Sequence, residues 1–275
     1  MTITSSPSSK PCTRLDVKNH LDIAGISKSF GRGAAAKLVL SNVSLAVSSG
    51  EFVCLLGPSG CGKSTLLNTI AGFISPDNGI ISINSKPVRG PGPELGFVFQ
   101  KNSLLPWMTL EQNVGYGLRL QGVGQAQRQA RVHDYLEMVG LSRYKQAYPH
   151  QLSGGMQQRG SIIRALITNP SVLLMDEPFA SLDAQTRSVL QEILLGIWRS
   201  LSTTVIFVTH DIDEAILLAD RIVLMGVHPG HIKNIVPVHL PRPRTPETTF
   251  SDDYLHIRKA VLTSIREETS KLMEI

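Results

Sequence analysis

From the N-terminus, apolar residues first gather in short runs, "LDIAGI", "VLSNVSLAV" and "EFVCLLG", each bounded by Gly, Ser or Asn. Runs of that length, rich in Val, Ile and Leu and closed by turn residues, predict strands. "KSTLLNTIAG" changes period, its apolar positions recurring at helical spacing up to Gly72, and predicts a helix. After a further strand at "ELGFVFQ" the pattern turns helical. Thr109 opens "TLEQNVGYGLRLQ" with Gln112 three places on, the spacing of a capping box, and "AQRQARVHDYLEMVGL" repeats at helical spacing. Strand patterns return in "SVLLMDEP", "TTVIFVTH" and "DRIVLMGV", separated by the helical "DAQTRSVLQEILLGIWRSL" and "DIDEAILLA". Strands that alternate with helices imply an α/β fold, a largely parallel sheet with helices on both faces.

The same patterning divides the chain. Residues 1–20 are rich in Ser, Pro and Thr and are expected to form a disordered lead-in. Residues 21–240 read as one domain with a helical subdomain inserted at about 101–165. Residues 241–275 read as a Pro-rich linker and one amphipathic helix, too short for a second domain. With 42% hydrophobic and 18% charged residues among 275, the chain is expected to bury a full core and to be soluble. No run of 18 apolar residues appears and the start is polar, so neither a membrane span nor a secretory signal is expected. Cys12, Cys54 and Cys61 form no C-x-x-C pair and are odd in number, which points to reducing cytoplasm. The net charge of +5 is scattered, without a block of five like charges, and reads as a solvated surface with no nucleic-acid partner.

Chemistry concentrates first in "GPSGCGKST". Gly57, Gly60 and Gly62 permit a tight turn with backbone N–H groups pointing inward, and the following helix adds its positive N-terminal end. Lys63 is expected to reach the β and γ phosphates of a nucleotide, and the Ser64 hydroxyl to ligate Mg²⁺. Pro58, Ser59, Cys61 and Thr65 complete the predicted cradle, and a bulky group on the Cys61 sulfur is expected to collide with the phosphates. "SVLLMDEP" delivers Asp176 to the end of an apolar strand as a second metal ligand, with Glu177 beside it to polarise an attacking water.

"LSGGMQQR" looks like a phosphate turn that has lost its lysine. Taken in order, "GPSGCGKST", "LSGGMQQR", "LLMDEPFASLD" and "VTHD" resemble the nucleotide-binding subunit of an ABC transporter, from Leu21 to about residue 240. The resemblance implies a P-loop ABC-ATPase fold that hydrolyses ATP with Mg²⁺ in a head-to-tail dimer, in all expectation a homodimer. It assigns Ser153, Gly154 and Gly155 to the γ-phosphate held by the partner copy, which explains the missing lysine. It makes Gln100 a contact to Mg²⁺ or water, His210 a contact to the γ-phosphate, Asp183 a residue crossing the dimer interface, and Phe30 the ring stacked on adenine. Phe30 has the alternative of being a core aromatic. Met156 departs from the family, most relatives having Gln there.

Two further implications concern partners. Leu104, Leu105, Pro106 and Trp107, directly after Gln100, form an apolar knuckle suited to docking an integral-membrane permease; the alternative is that Trp107 packs inward. With "GPGPELGFVFQ" and "LPRPR" this stretch resembles the taurine, sulfonate and nitrate import branch. That branch implies a peripheral position on the cytoplasmic membrane face and a solute-binding protein acting through the permease, with nitrate import or a non-transport ABC ATPase as the alternatives to sulfonate import. DNA-maintenance ABC proteins usually carry a coiled coil or zinc module between the two phosphate-binding loops, and neither heptads nor C-x-x-C pairs occur there.

Overall fold

The computed structural model describes residues 20–273 except Arg32, Asn102 and Ser202. The lead-in expected at 1–20 lies, but for His20, outside the described residues. The elements run β1 Leu21–Phe30, β2 Lys37–Val47, β3 Phe52–Leu56, α1 Lys63–Ile70, β4 Asn78–Ile83, β5 Lys86–Pro87, β6 Leu95–Val98, α2 Leu110–Leu120, α3 Gln125–Met138 and α4 Gly154–Leu166. They continue with β7 Val172–Asp176, α5 Ala184–Leu201, β8 Thr204–Thr209, α6 Ile212–Leu218, β9 Arg221–Gly226, β10 His231–Pro237 and α7 Asp252–Met273.

Six strands form the central sheet in the order β10-β9-β3-β8-β7-β6. The pairs β9–β3, β3–β8, β8–β7 and β7–β6 are parallel, and β10 closes one edge antiparallel. The sheet is covered on both faces, as parallel sheets require. Alternate residues of its strands feed two separate cores. Phe52, Cys54 and Leu56 of β3, with Leu173, Met175 and Phe207, join a core shared with α2 to α6 and α7. Val53, Leu55, Leu174, Ile206 and Val208 join a second core with Leu66, Leu67 and Ile70 of α1. The period of two along each strand accounts for this partition.

That second face carries the expected helix and more. Besides α1 it carries a four-stranded antiparallel sheet, order β2-β1-β4-β5, whose Leu21, Ile23, Val43, Val47 and Ile81 pack on the central sheet. Strands β4, β5 and β10 have little alternation of apolar residues and were not anticipated from the pattern. β6 and β7 are sheet neighbours, and α2, α3 and α4 fill the chain between them. Thr109 caps α2 in the expected box, its Oγ1 accepting from Gln112 N and its N–H donating to Gln112 Oε1. No described helix is long and apolar enough to cross a membrane.

Candidate functional site

Four adjacent parallel strands, β3, β8, β7 and β6, end on one edge, and each releases a motif there. β3 leads into the loop from Gly57, β8 into His210, β7 into Asp176 and Glu177, and β6 into Phe99 and Gln100. Ligands gather at the carboxyl ends of such strands because the loops diverge there and helix N-termini converge.

The loop from Gly57 to Gly62 turns through left-handed backbone at Gly60 (φ 81°) and Gly62 (φ 95°), conformations that only glycine adopts without strain. Gly62 is the N-cap of α1 and no side chain caps that helix. Its first-turn N–H groups therefore face an anion site, which fits the β and γ phosphates of ATP. Lys63, 7% exposed, lies beneath the loop: Nζ donates to Gly57 O (2.7 Å) and Pro58 O (3.0 Å). Its remaining proton faces Cys61 Sγ at 3.9 Å, a weak acceptor that a phosphate oxygen readily displaces. Ser59, Gly60 and Ser64 are exposed at the mouth and Pro58 and Thr65 half-buried.

Cys61 lies within the loop, but buried. It is 1% exposed and packs with the core beneath the loop, its Sγ 3.9 Å from Lys63 Nζ, so the thiol is closed to solvent. Burial raises its pKa, against the lowering influence of Lys63. The collision of a sulfur substituent with phosphates therefore requires the loop to open first.

Ser64 Oγ donates to Asp176 Oδ1 at 3.0 Å, joining the two expected metal ligands. Burial raises the Asp176 pKa, with Glu177 adding repulsion. A divalent cation relieves both effects, and hard oxygen donors are what Mg²⁺ selects. Among the described residues no cluster of three or more His, Cys, Asp or Glu exists that could hold a metal.

Glu177 sits at φ 42°, left-handed backbone that a residue with a Cβ rarely adopts. Its N–H still continues the ladder to Val208 O (3.0 Å), while the side chain swings to the edge. There Oε2 meets His210 Nδ1 at 3.1 Å and accepts from Gln100 Nε2 at 3.4 Å. The structure thus brings Lys63, Ser64, Gln100, Asp176, Glu177 and His210 to one edge. Phe30 ends β1, is 43% exposed and has Lys28 Nζ 5.7 Å from its ring centre, so it is no core aromatic.

The second phosphate-type turn keeps its hydrogen bonds to itself. Ser153 is the N-cap of α4, its Oγ accepting from Met156 N at 3.3 Å, and Ser153 and Gly154 are exposed. A Cβ on Gly155 would come within 2.7 Å of Thr186 Cγ2, so the glycine lets α4 approach α5. Thr186 N in turn donates to Asp183 Oδ1 (2.9 Å), which draws the exposed Asp183 carboxyl down. Met156 is half-buried against the core rather than presented to a ligand.

The knuckle after Gln100 divides. Leu104 is 7% exposed and belongs to the core, a correction to the four-residue patch, whereas Trp107 is 70% exposed. Sequence reasoning missed what fixes this loop. Asn113, fully buried, accepts from Leu105 N (2.7 Å) and donates to Leu105 O and Met108 O (3.1 Å each). Arg164 donates to Ser103 O (2.7 Å) and Oγ (2.9 Å). An Asn one turn into an amphipathic helix was the available signal. Trp107, Met108, Tyr116, Val132 and Leu136, with Arg119, Arg128 and Lys145, line a groove of about 740 Å³.

Comparison with known proteins gives the same reading. The ABC transporter family profile matches residues 40–180. An uncharacterized ABC transporter ATP-binding protein of Methanocaldococcus jannaschii is 44% identical over 258 residues, 94% of this chain and 96% of that one. The aliphatic sulfonates import ATP-binding protein of Bacillus subtilis is 45% identical over 89% of this chain and 93% of its own. The nitrate import ATP-binding protein of Synechocystis is 42% identical over 92% and 95% respectively. Among solved structures, the dimeric post-hydrolysis state of the cassette MJ0796, bound to ADP and Pi, superposes with a TM-score of 0.71 at 32% identity, covering 80% of this chain and all of that one. With its fold, its strand-end residues and these relatives in agreement, the chain belongs to the ABC transporter family and is an ATP-binding cassette with ATPase activity.

Proposed function

We propose that the chain powers an importer of a small sulfonate such as taurine. The observation that carries the catalytic part is the meeting of Gln100 and His210 on one oxygen of Glu177, beside Asp176 and Ser64. With Oε2 so engaged, the carboxylate is oriented and Oε1 is left to take a proton from the attacking water. Lys63 and the N–H groups of the Gly57–Thr65 loop hold the β and γ phosphates, and Phe30 offers its exposed face to adenine. Ser64 and Asp176 would hold Mg²⁺, which when bound neutralises charge on the phosphate oxygens.

Each chain supplies half of a closed site. Ser153, Gly154 and Gly155 belong at the γ-phosphate of a second copy, with Asp183 at the seam; the exposure of Ser153, Gly154 and Asp183 and the dimeric cassette MJ0796 support this. Trp107 and the groove beside it receive a cytoplasmic helix of an integral-membrane permease, which a solute-binding protein loads from outside. The chain is then peripheral on the cytoplasmic membrane face, and nucleic acid has no part in its work. The sulfonate reading draws on the Bacillus subtilis relative; nitrate is the second reading, from the Synechocystis one.

Uptake of labelled taurine, alkanesulfonates and nitrate by cells with and without this chain tests the assignment. Loss of sulfonate uptake and of growth on taurine as sole sulfur source is expected. Loss of nitrate uptake alone selects the second reading, and no change in either removes the branch assignment.

A further inference from the structure

The chain beyond β10 supplies none of the strand-end residues, yet four of its side chains grip α6, the helix that follows His210. Arg244, 8% exposed, gives Nη1 to Ile216 O (2.8 Å) and Ala219 O (2.6 Å) and Nη2 to Val238 O (3.1 Å). Arg242 Nη2 donates to Leu218 O (2.7 Å) and Asp220 Oδ1 (2.8 Å). The carbonyls of Ile216, Leu218 and Ala219 are among those α6 leaves unpaired at its C-terminal end, where cations are also favoured by the helix dipole. At the other end, Tyr254 Oη and Arg258 Nε of α7 each donate to Asp213 Oδ1 at 2.7 Å.

Helix α7 is itself anchored. The carboxylate of Glu268, 1% exposed, accepts from Val227 N (3.1 Å), Lys271 Nζ (2.6 Å) and Lys233 Nζ (3.0 Å), tying its far end to β9 and β10. One anchored segment therefore holds α6 at both ends. A helix of seven residues has no stability of its own and lies where its neighbours hold it.

The first turn of α6 is coupled to the site through a single peptide. Asp211 is its N-cap, with Oδ1 accepting from Asp213 N (2.9 Å) and Glu214 N (3.1 Å). The residue before it is His210, whose Nδ1 lies 3.1 Å from Glu177 Oε2. A shift of Asp213 moves the cap, and the cap moves the imidazole. From α5, Arg187 on Asp211 and Gln191 on Glu214 hold the same turn, without reaching Asp213.

We propose that Tyr254 and Arg258 are positioning residues for ATP hydrolysis, holding Asp213 so that α6 keeps His210 against Glu177. The inference rests on the assignment of His210 to the hydrolytic site. It gives the C-terminal segment a task in turnover in addition to packing.

The test uses the full chain with Tyr254→Phe and Arg258→Ala combined. The expected result is a fall in kcat of about fivefold or more with the ATP dissociation constant within about twofold, the split expected when a transition-state contact alone is lost. Amide hydrogen exchange in residues 211–218 should quicken by about tenfold or more while β3 and β8 keep their protection. Arg258→Lys, which retains a donor, should recover most of kcat. In a His210→Ala background the two α7 changes should add less than about twofold, since their route is already cut.

A kcat within about 1.5-fold of the wild type, or losses that multiply with His210→Ala, overturns the proposal. If the combined variant does not fold, Arg258→Ala alone carries the same measurements, its side chain being 45% exposed. If His210→Ala itself leaves kcat intact, the site assignment fails and the strut with it. An impaired His210→Ala beside a normal α7 variant removes the strut and spares the site.

Discussion

Glu177 shows how a single residue is bent to a task. Left-handed backbone costs a residue with a Cβ on the order of 1 kcal/mol or more. The strand hydrogen bond to Val208 and the two partners on Oε2 hold it there. The sequence pointed to Glu177 through an Asp-Glu pair that ends an apolar strand in a chain with a phosphate loop upstream; the pair alone fits ordinary surface chemistry as well, and its backbone geometry was not legible, because it depends on Gln100 and His210 arriving from other strands. Cys61 is the opposite case. Its place in the loop was legible, but the side it faces is decided by packing beneath the loop. A Cβ on the adjacent Gly57 would meet both Cys61 Sγ (3.0 Å) and Met225 O (2.7 Å), so the loop sits hard on β9. Maleimide should therefore label Cys61 at least about tenfold more slowly than a small free thiol at neutral pH, since burial and the raised pKa both deplete accessible thiolate. Mass spectrometry of a labelling time course checks this, and labelling as fast as the free thiol would mean that the loop opens readily.

At the scale of elements, the parallel core, α1, α2 and α7 were legible from hydrophobic period, and the capping box of α2 from two residues. The antiparallel sheet was not. β4 and β5 have mostly exposed or half-buried residues; β4 gains its order from pairing with β1, a non-local contact that a local pattern does not carry, and β5 from pairing with β4. The attachment of α7 was likewise invisible, since it depends on Glu268 meeting Lys233 and Val227 across the fold. Burial works to raise the Glu268 pKa, but hydrogen bonds from Lys271, Lys233 and Val227 N outweigh it and hold it at about 2. A carboxyl depressed in this way stabilises the fold fully above its ordinary value of 4.5 and loses that contribution as pH falls toward about 2. Glu268→Gln should accordingly cost ~1–3 kcal/mol at pH 7 and progressively less below pH ~4. Thermal melts of both proteins at neutral and acid pH should show the gap in Tm closing; equal Tm at pH 7 would mean that α7 is not anchored by this charge.

At the scale of the whole molecule, the exposed turn at Ser153 and the groove beside Trp107 are the surfaces given to partners in this account. The loop that carries Trp107 is fixed by Asn113 and Arg164, so the indole is presented on a rigid base close in sequence to Gln100. Trp107→Ala should leave folding and basal ATPase intact and reduce stimulation by permease and loaded binding protein, with a loss of about 2 kcal/mol in association typical of a central aromatic anchor. Undiminished stimulation in proteoliposomes would place the docking surface elsewhere.

The central claim is that two copies close over ATP, each completing the other's site, and that Glu177 activates the water that ends the closed state. Size-exclusion chromatography of Glu177→Gln with ATP and Mg²⁺ addresses it most directly, because the chain of 30.0 kDa and its dimer separate cleanly. The account predicts a stable dimer retaining two uncleaved nucleotides, which reverts to monomer without ATP and fails to form when Ser153→Ala is added. A Glu177→Gln chain that stays monomeric with ATP and hydrolyses it at the wild-type rate would contradict both halves of the claim.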